Sequence, residues 1–207
     1  MKIEFWFDFA STYSYPTAMR IESLAASQNL EIVWRPFMLG AIFNRQGWND
    51  SPFNIYSVKG EYMWRDLNRV CDDLQIPFFR PKIFPQNGLL PSRVATTFSE
   101  APWVSSFIRS VYSANFEHNQ DISSPEVIES CLNCSGEDVA SIIKKANTEE
   151  SKDRLRKQTE DAGKKGIFGA PSFCVGKELF WGNDRLERAI QWAADKKAQS
   201  IKPYSRD

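Results

Sequence analysis

Apolar and polar residues alternate at the start of the chain, where Ile3, Phe5, Phe7 and Phe9 are separated by Glu4, Trp6 and Asp8. A period of two predicts a strand. The period then lengthens: Ala18, Ile21, Leu24 and Ala25 share one face of a helix predicted over 15–27, with Pro16 near its start, where a missing N–H does no harm. Residues 31–35 predict a second short strand, halted by Pro36. A strand, a helix and a strand within the first 36 residues predict a parallel pair.

The middle of the chain carries helical spacing. Tyr62, Met63, Leu67, Val70, Cys71 and Leu74 recur at that spacing over 60–74, and segments near 92–100 and 103–117 read the same way. Ser124-Pro125-Glu126 is a helix start, with a serine cap, a proline in the first turn and an acid favoured by the helix dipole. Residues 138–162 are rich in charge and predict one or two surface helices. Between the helices, 78–91 reads as a loop carrying Pro81, Pro85 and Pro91, just after Pro77.

Near the end, 171–175 predicts a strand and 177–181 its hairpin partner across Gly176. Asn183 is then placed as the cap of a last helix running from Asp184 to about Lys197. The order β-α-β, helical block, β-β-α is that of an α/β, thioredoxin-like fold with a large all-helical insertion. The expected division is a discontinuous thioredoxin-like domain over 1–38 and 165–200, with an insertion domain over 39–164.

Composition narrows the setting. The chain has 207 residues, 42% of them hydrophobic and 14% aromatic, which predicts a packed core. Lys+Arg and Asp+Glu both total 26, so no basic excess points to nucleic acid. No apolar run approaches the roughly 20 residues of a membrane span. Acidic residues interrupt the N-terminal apolar stretch, unlike a secretory signal. Ser205-Arg206-Asp207 does not read as a peroxisomal address. With four cysteines, a reducing cytoplasmic setting is expected.

The candidate chemistry lies at two turns. The first strand runs into Ser11-Thr12-Tyr13-Ser14, where a thioredoxin-type fold carries a redox Cys-x-x-Cys at a helix N-terminus. Gly169-Ala170-Pro171-Ser172 stands where such a fold carries its cis-proline loop. With serines at both cysteine positions, the site cannot form its own disulfide. It can still present a hydroxyl and a helix N-terminus to another molecule's thiol, which points to a glutathione-using enzyme. Unpaired N–H groups and the helix dipole favour a thiolate there. One hydroxyl hydrogen bond to it is worth about 1.5–3 kcal/mol, or about one to two pKa units.

Taken alone, Ser11 reads first as an ordinary helix cap. A hydrolase role would need a base, and the only histidine, His118, sits among Glu117, Asn119, Gln120 and Asp121 in an expected exposed loop. Asn183-Asp184 reads either as simple capping or as a ligand clamp. In the clamp reading, Asp184 takes an α-amino group and helix N–H groups hold an α-carboxylate. Cys131-Leu132-Asn133-Cys134 is a literal Cys-x-x-Cys, but it follows a helix instead of opening one after a strand, and no second Cys/His pair completes a zinc site. Cys71 and Cys174 are expected as small core residues. No metal site is expected.

Several motifs in order carry a resemblance. They are Phe7-Asp8-Phe9-Ala10-Ser11-Thr12-Tyr13-Ser14-Tyr15, Trp34-Arg35-Pro36-Phe37, Lys59-Gly60-Glu61-Tyr62-Met63, Gly166-Ile167-Phe168-Gly169-Ala170-Pro171 and Phe180-Trp181-Gly182-Asn183-Asp184-Arg185-Leu186. The chain resembles the 2-hydroxychromene-2-carboxylate isomerase family, which belongs with the kappa-class glutathione transferases in the DsbA-like branch of the thioredoxin superfamily. The resemblance covers about residues 3–195. It implies that Ser11 contacts the glutathione sulfur and that Ala170 pairs with the glutathione backbone beside a cis Pro171. It implies that Asn183 and Asp184 hold the γ-glutamyl end, with Lys59 near the glycyl end. Asn49 matches the family's asparagine in a loop, 47–58, whose length differs among relatives. Thr12 departs from the family, in which proline is common.

The implied reaction is thiolate addition to a conjugated double bond, rotation, and elimination of unchanged glutathione. The implied substrate is an aromatic pyruvate, for which Trp48, Trp64, Phe84 and Trp181 are candidate walls and Arg35 or Lys59 the candidate charge. A kappa-like transferase or peroxidase would use the same thiolate and consume it. The resemblance also implies a homodimer.

Overall fold

The computed structural model describes residues 1–201; the segment read above as no peroxisomal address, 205–207, lies outside the described residues. In chain order, β1 (Lys2–Phe7), α1 (Ser14–Ala26) and β2 (Glu31–Pro36) are followed by eight helices. These are α2 (Leu39–Arg45), α3 (Pro52–Ile55), α4 (Ser57–Asp73), α5 (Leu89–Thr97), α6 (Val104–Phe116), α7 (Pro125–Cys131), α8 (Val139–Ala146) and α9 (Glu149–Lys164). The hairpin β3 (Ser172–Val175) and β4 (Glu178–Trp181) follows, and then α10 (Leu186–Ile201). The sheet order is β2-β1-β3-β4. β1 pairs parallel with β2, Phe5 opposite Trp34, and antiparallel with β3, Phe5 opposite Phe173. This is the thioredoxin-like α/β fold with a helical block between β2 and β3.

Strand β1 is buried on both faces. Ile3, Phe5 and Phe7 face one core, built with Ala18, Ile21 and Ala25 of α1, Leu186, Ala189 and Ile190 of α10, and residues of α4 to α8. Trp6 faces a second core with Phe37, Ile42 of α2, Ala162 of α9, Ile167 and Cys174. The alternation that predicted the strand therefore marks two apolar layers.

The strand ends at Phe7, short of the expected Phe9. There the Asp8 carboxylate accepts the backbone N–H of Ala10 at 2.8 Å, which bends the chain into a turn before α1. The helix expected near 92–100 runs Leu89–Thr97, so Pro91 lies in its first turn and not in the loop. The charged stretch 138–162 resolves into two helices, capped by the side chains of Asp138 and Thr148. Ser124 caps α7 as expected, its hydroxyl accepting from the N–H of Val127. Asn183 does not cap the last helix: it opens a short 3₁₀ turn, Asn183–Arg185, before α10.

Candidate functional site

A cavity of about 1050 Å³ opens at the carboxyl end of β1 and the N-terminus of α1. Parallel strands leave their ligand crevices at such ends, because the chain there turns away into loops and helix N-termini. Ser11, Asn49, Lys59, Ala170, Pro171, Asn183 and Asp184 all line it, though the chain separates the first from the last by 173 positions.

Ser11 sits in the turn before α1, where its N–H donates to the Asp8 carbonyl at 2.9 Å. It is not the helix cap, a position held by Tyr13. Its hydroxyl donates across the cavity floor to the carbonyl of Ala170 at 3.1 Å. The Ala170–Pro171 bond is cis. The two turns singled out in the sequence thus touch through Ser11. Gly169 lets Trp181 pack on the loop: a Cβ there would lie 2.4 Å from the indole Nε1.

The far wall comes from the segments after β2. Asn49 and Lys59 flank α3, and the Lys59 ammonium lies 5.8 Å from the centre of the Phe53 ring. Aromatic side chains line the space between: Phe43 packs against Trp48 at 5.5 Å, and Phe168 meets Trp181 edge to face at 4.8 Å. Of the candidate wall residues, Trp48, Phe84 and Trp181 line the cavity. Trp64 does not; it is buried among Phe78 and Phe84 beneath Arg80. Arg35 faces elsewhere too, pairing with Glu4 at 3.6 Å, because β2 lies on the sheet's edge away from the cis-proline loop. Lys59 remains as the candidate charge.

Asp8, Tyr13 and Asp66 also line the cavity, with no role read for them from the sequence. Asp8 is buried, and its second carboxylate oxygen accepts the N–H of Leu39 at 2.8 Å, so one side chain fastens the Ser11 turn to the start of α2. Burial raises its pKa, against the lowering effect of those two bonds. A lone acid at the end of an apolar strand was the available signal. Tyr13 donates to Asp66 at 2.7 Å, a contact across 53 positions that no local pattern announces. Burial, then the Asp66 carboxylate, push the Tyr13 hydroxyl well above the usual tyrosine range.

The Cys-x-x-Cys lies at the end of α7 and in the turn beyond it, outside this cavity. Burial pushes the Cys131 thiol up to about 11 and raises Cys134, opposite to what an attacking cysteine needs. Cys71 and Cys174 are buried, as expected. Among the described residues no group of three or more His, Cys, Asp or Glu side chains is placed to hold a metal ion.

Residues 2–191 match the DSBA-like thioredoxin domain. The chain belongs to that family. It is 26% identical to a 2-hydroxychromene-2-carboxylate isomerase of Sphingobium xenophagum, over 89% of this chain and 94% of the relative. It is also 26% identical to glutathione S-transferase kappa 1 of Homo sapiens, over 97% of this chain and 94% of that protein. A solved 2-hydroxychromene-2-carboxylate isomerase superposes with a TM-score of 0.81 at 25% identity, covering 98% of this chain and all of that one. The resemblance to 2-hydroxychromene-2-carboxylate isomerases and kappa-class transferases therefore extends over about nine-tenths of the chain.

Proposed function

We propose that this chain is a glutathione-dependent isomerase of 2-hydroxychromene-2-carboxylate or a similar aromatic enone acid. The observation that carries the reading is the floor of the cavity: a serine in place of a redox cysteine, in contact with the cis-proline loop. The relatives named as isomerases and as a kappa-class transferase support an enzyme of this kind.

The cavity's polar groups fit glutathione. Ser11 offers a hydroxyl for the sulfur, and Ala170 offers its backbone. The Lys59 ammonium, which makes no ion pair among the described residues, suits the glycyl carboxylate. Asn183 and Asp184 suit the γ-glutamyl end. Asn49 is assigned to the same wall as Lys59. Bound glutathione supplies a thiolate that adds reversibly to a conjugated double bond. The Ser11 hydroxyl, which has one proton to give, turns from the Ala170 carbonyl to hold that sulfur with a charge-assisted hydrogen bond, helped by the N-terminal field of α1. The aromatic walls orient the ring and exclude water.

Calorimetric titration with reduced glutathione at neutral pH tests the shared core of this reading. Saturable one-site binding is expected, weakened in Asp184→Ala. No binding up to millimolar concentration overturns the reading. The second reading, a kappa-like transferase or peroxidase, draws on the human relative; accumulation of a glutathione conjugate from an enone substrate would select it.

We also propose a homodimer acting in the cytoplasm on a small-molecule substrate. Exposed Ile55 on α3, Tyr56 between α3 and α4, and Val58 and Tyr62 on α4 lie beside exposed Phe79 and Ile83. The loop bearing the last two is tied to these helices by Arg80–Glu61 at 3.1 Å and by Asn54 Nδ2 donating to the Phe84 carbonyl at 3.2 Å. An apolar surface of this kind favours a covering partner. Sedimentation equilibrium should give twice the chain mass, and Val58→Glu should lower it toward the monomer; a monomeric parent protein would remove the dimer from the proposal. Among the described residues no helix is long and apolar enough to cross a membrane.

A further inference from the structure

Asn183 reaches the cavity, yet one end of its amide is already engaged behind the wall. Arg20, on α1, does not line the cavity. Its Nη2 donates to Asn183 Oδ1 at 3.1 Å and to the Asn183 backbone carbonyl at 3.2 Å. The Thr17 hydroxyl lies 3.0 Å from the same Oδ1. Glu187, in the first turn of α10, ion-pairs with Arg20 and holds the guanidinium in place.

An arginine only donates, so the amide oxygen must face it. That fixes which way the amide is turned, a choice geometry alone leaves open for asparagine. The opposite end, Nδ2, has no acceptor among the described residues. It is a pure donor at a cavity wall, suited to a carboxylate and unsuited to an ammonium group.

We infer that Arg20 is a positioning residue that sets the Asn183 amide as a carboxylate-reading group in the cavity. The inference rests on the glutathione reading, in which the γ-glutamyl end brings both a carboxylate and an ammonium group. Asn183, held by Arg20, takes the carboxylate, which leaves the ammonium to Asp184. Arg20 touches no ligand; it acts through Asn183.

Glutathione binding to five proteins tests this by calorimetry: the parent chain, Arg20→Met, Asn183→Ala, Asn183→Asp and the double variant Arg20→Met/Asn183→Ala. Arg20→Met should bind about tenfold more weakly, the effect of losing the donors that fix a buried polar group. In the Asn183→Ala background the same change should have no further effect, since the residue it acts through is gone. The thiol pKa of bound glutathione, read at saturation, should not move in Arg20→Met, because the Ser11 turn is untouched.

Asn183→Asp keeps a partner for Arg20 and so keeps the fold, but it turns a carboxylate oxygen toward the ligand. It should bind more weakly than Asn183→Ala, and it carries the test if Arg20→Met does not fold. Equal affinity of Arg20→Met and the parent overturns the inference alone, as does Asn183→Asp binding as well as Asn183→Ala. No binding by the parent chain overturns the glutathione reading and this inference together.

Discussion

Ser11→Ala is expected to raise the thiol pKa of bound glutathione by about one to two units, the equivalent of one hydrogen bond to a charged acceptor. At neutral pH the thiolate fraction then falls, by the full factor of about 10 to 100 where the parent's bound thiol titrates above neutral pH and by less where it titrates below, and isomerisation falls with it. The sign is fixed by which form the hydroxyl favours. An O–H donor stabilises the thiolate over the thiol, so removing it shifts titration to higher pH, and activity should be partly regained as pH rises. The fold should survive. The hydroxyl donates to the Ala170 carbonyl at 3.1 Å, and its loss leaves one acceptor short of one donor, a cost of about 0.5–1.5 kcal/mol. Ultraviolet absorbance of the thiolate across a pH series reads the shift directly. An unchanged pKa would remove Ser11 from its assigned role and leave the dipole of α1 as the source of thiolate stabilisation.

Gly60→Ala is expected to destabilise the chain and weaken glutathione binding together. A Cβ at Gly60 would lie 2.2 Å from the carbonyl oxygen of Phe53, a backbone atom that no rotamer change can move aside. Alanine is the better helix former by about 1 kcal/mol. That gain is smaller than the overpacking it provokes, commonly about 1–3 kcal/mol and more where backbone must move. A net loss of about 1–2 kcal/mol corresponds to a fall in Tm of about 2–8 °C for a chain of this size. To relieve the clash α3 must shift, and α3 lies between Asn49 and Lys59 on the cavity wall. Thermal unfolding and glutathione titration on the same variant check both halves. A Tm equal to or above that of the parent would show that the α3–α4 approach is looser than described.

Much of the fold was legible because its signals are local. The period-two run at 3–9, the helical spacing at 60–74, the Ser124 cap and the turn at Gly176 each lie within a few residues of what they determine. Pairing a serine turn after the first strand with a proline loop before the third rests on element order alone, and in the structure Ser11 and Ala170 meet. The motif Lys59-Gly60 reads as a ligand lysine, but its glycine is explained only by α3, a four-residue helix with no periodicity to reveal it.

What tertiary structure decided is which way side chains face. Trp6 reads as a residue of the polar face by alternation, yet it is buried, because α2 and α9 cover the second side of the sheet. A strand's period tells which residues share a side; whether that side is covered depends on helices far along the chain. Arg35 and Lys59 were equal candidates for a ligand charge until the sheet order sent Arg35 to Glu4 and the folding of α3 onto α4 brought Lys59 to the cavity. Asn183 carried the same ambiguity in a single side chain. The sequence placed it at the start of the last helix, while its amide is turned by Arg20 and Thr17, 163 and 166 positions away. Local chemistry sets what each residue can do, and long-range packing sets what it faces.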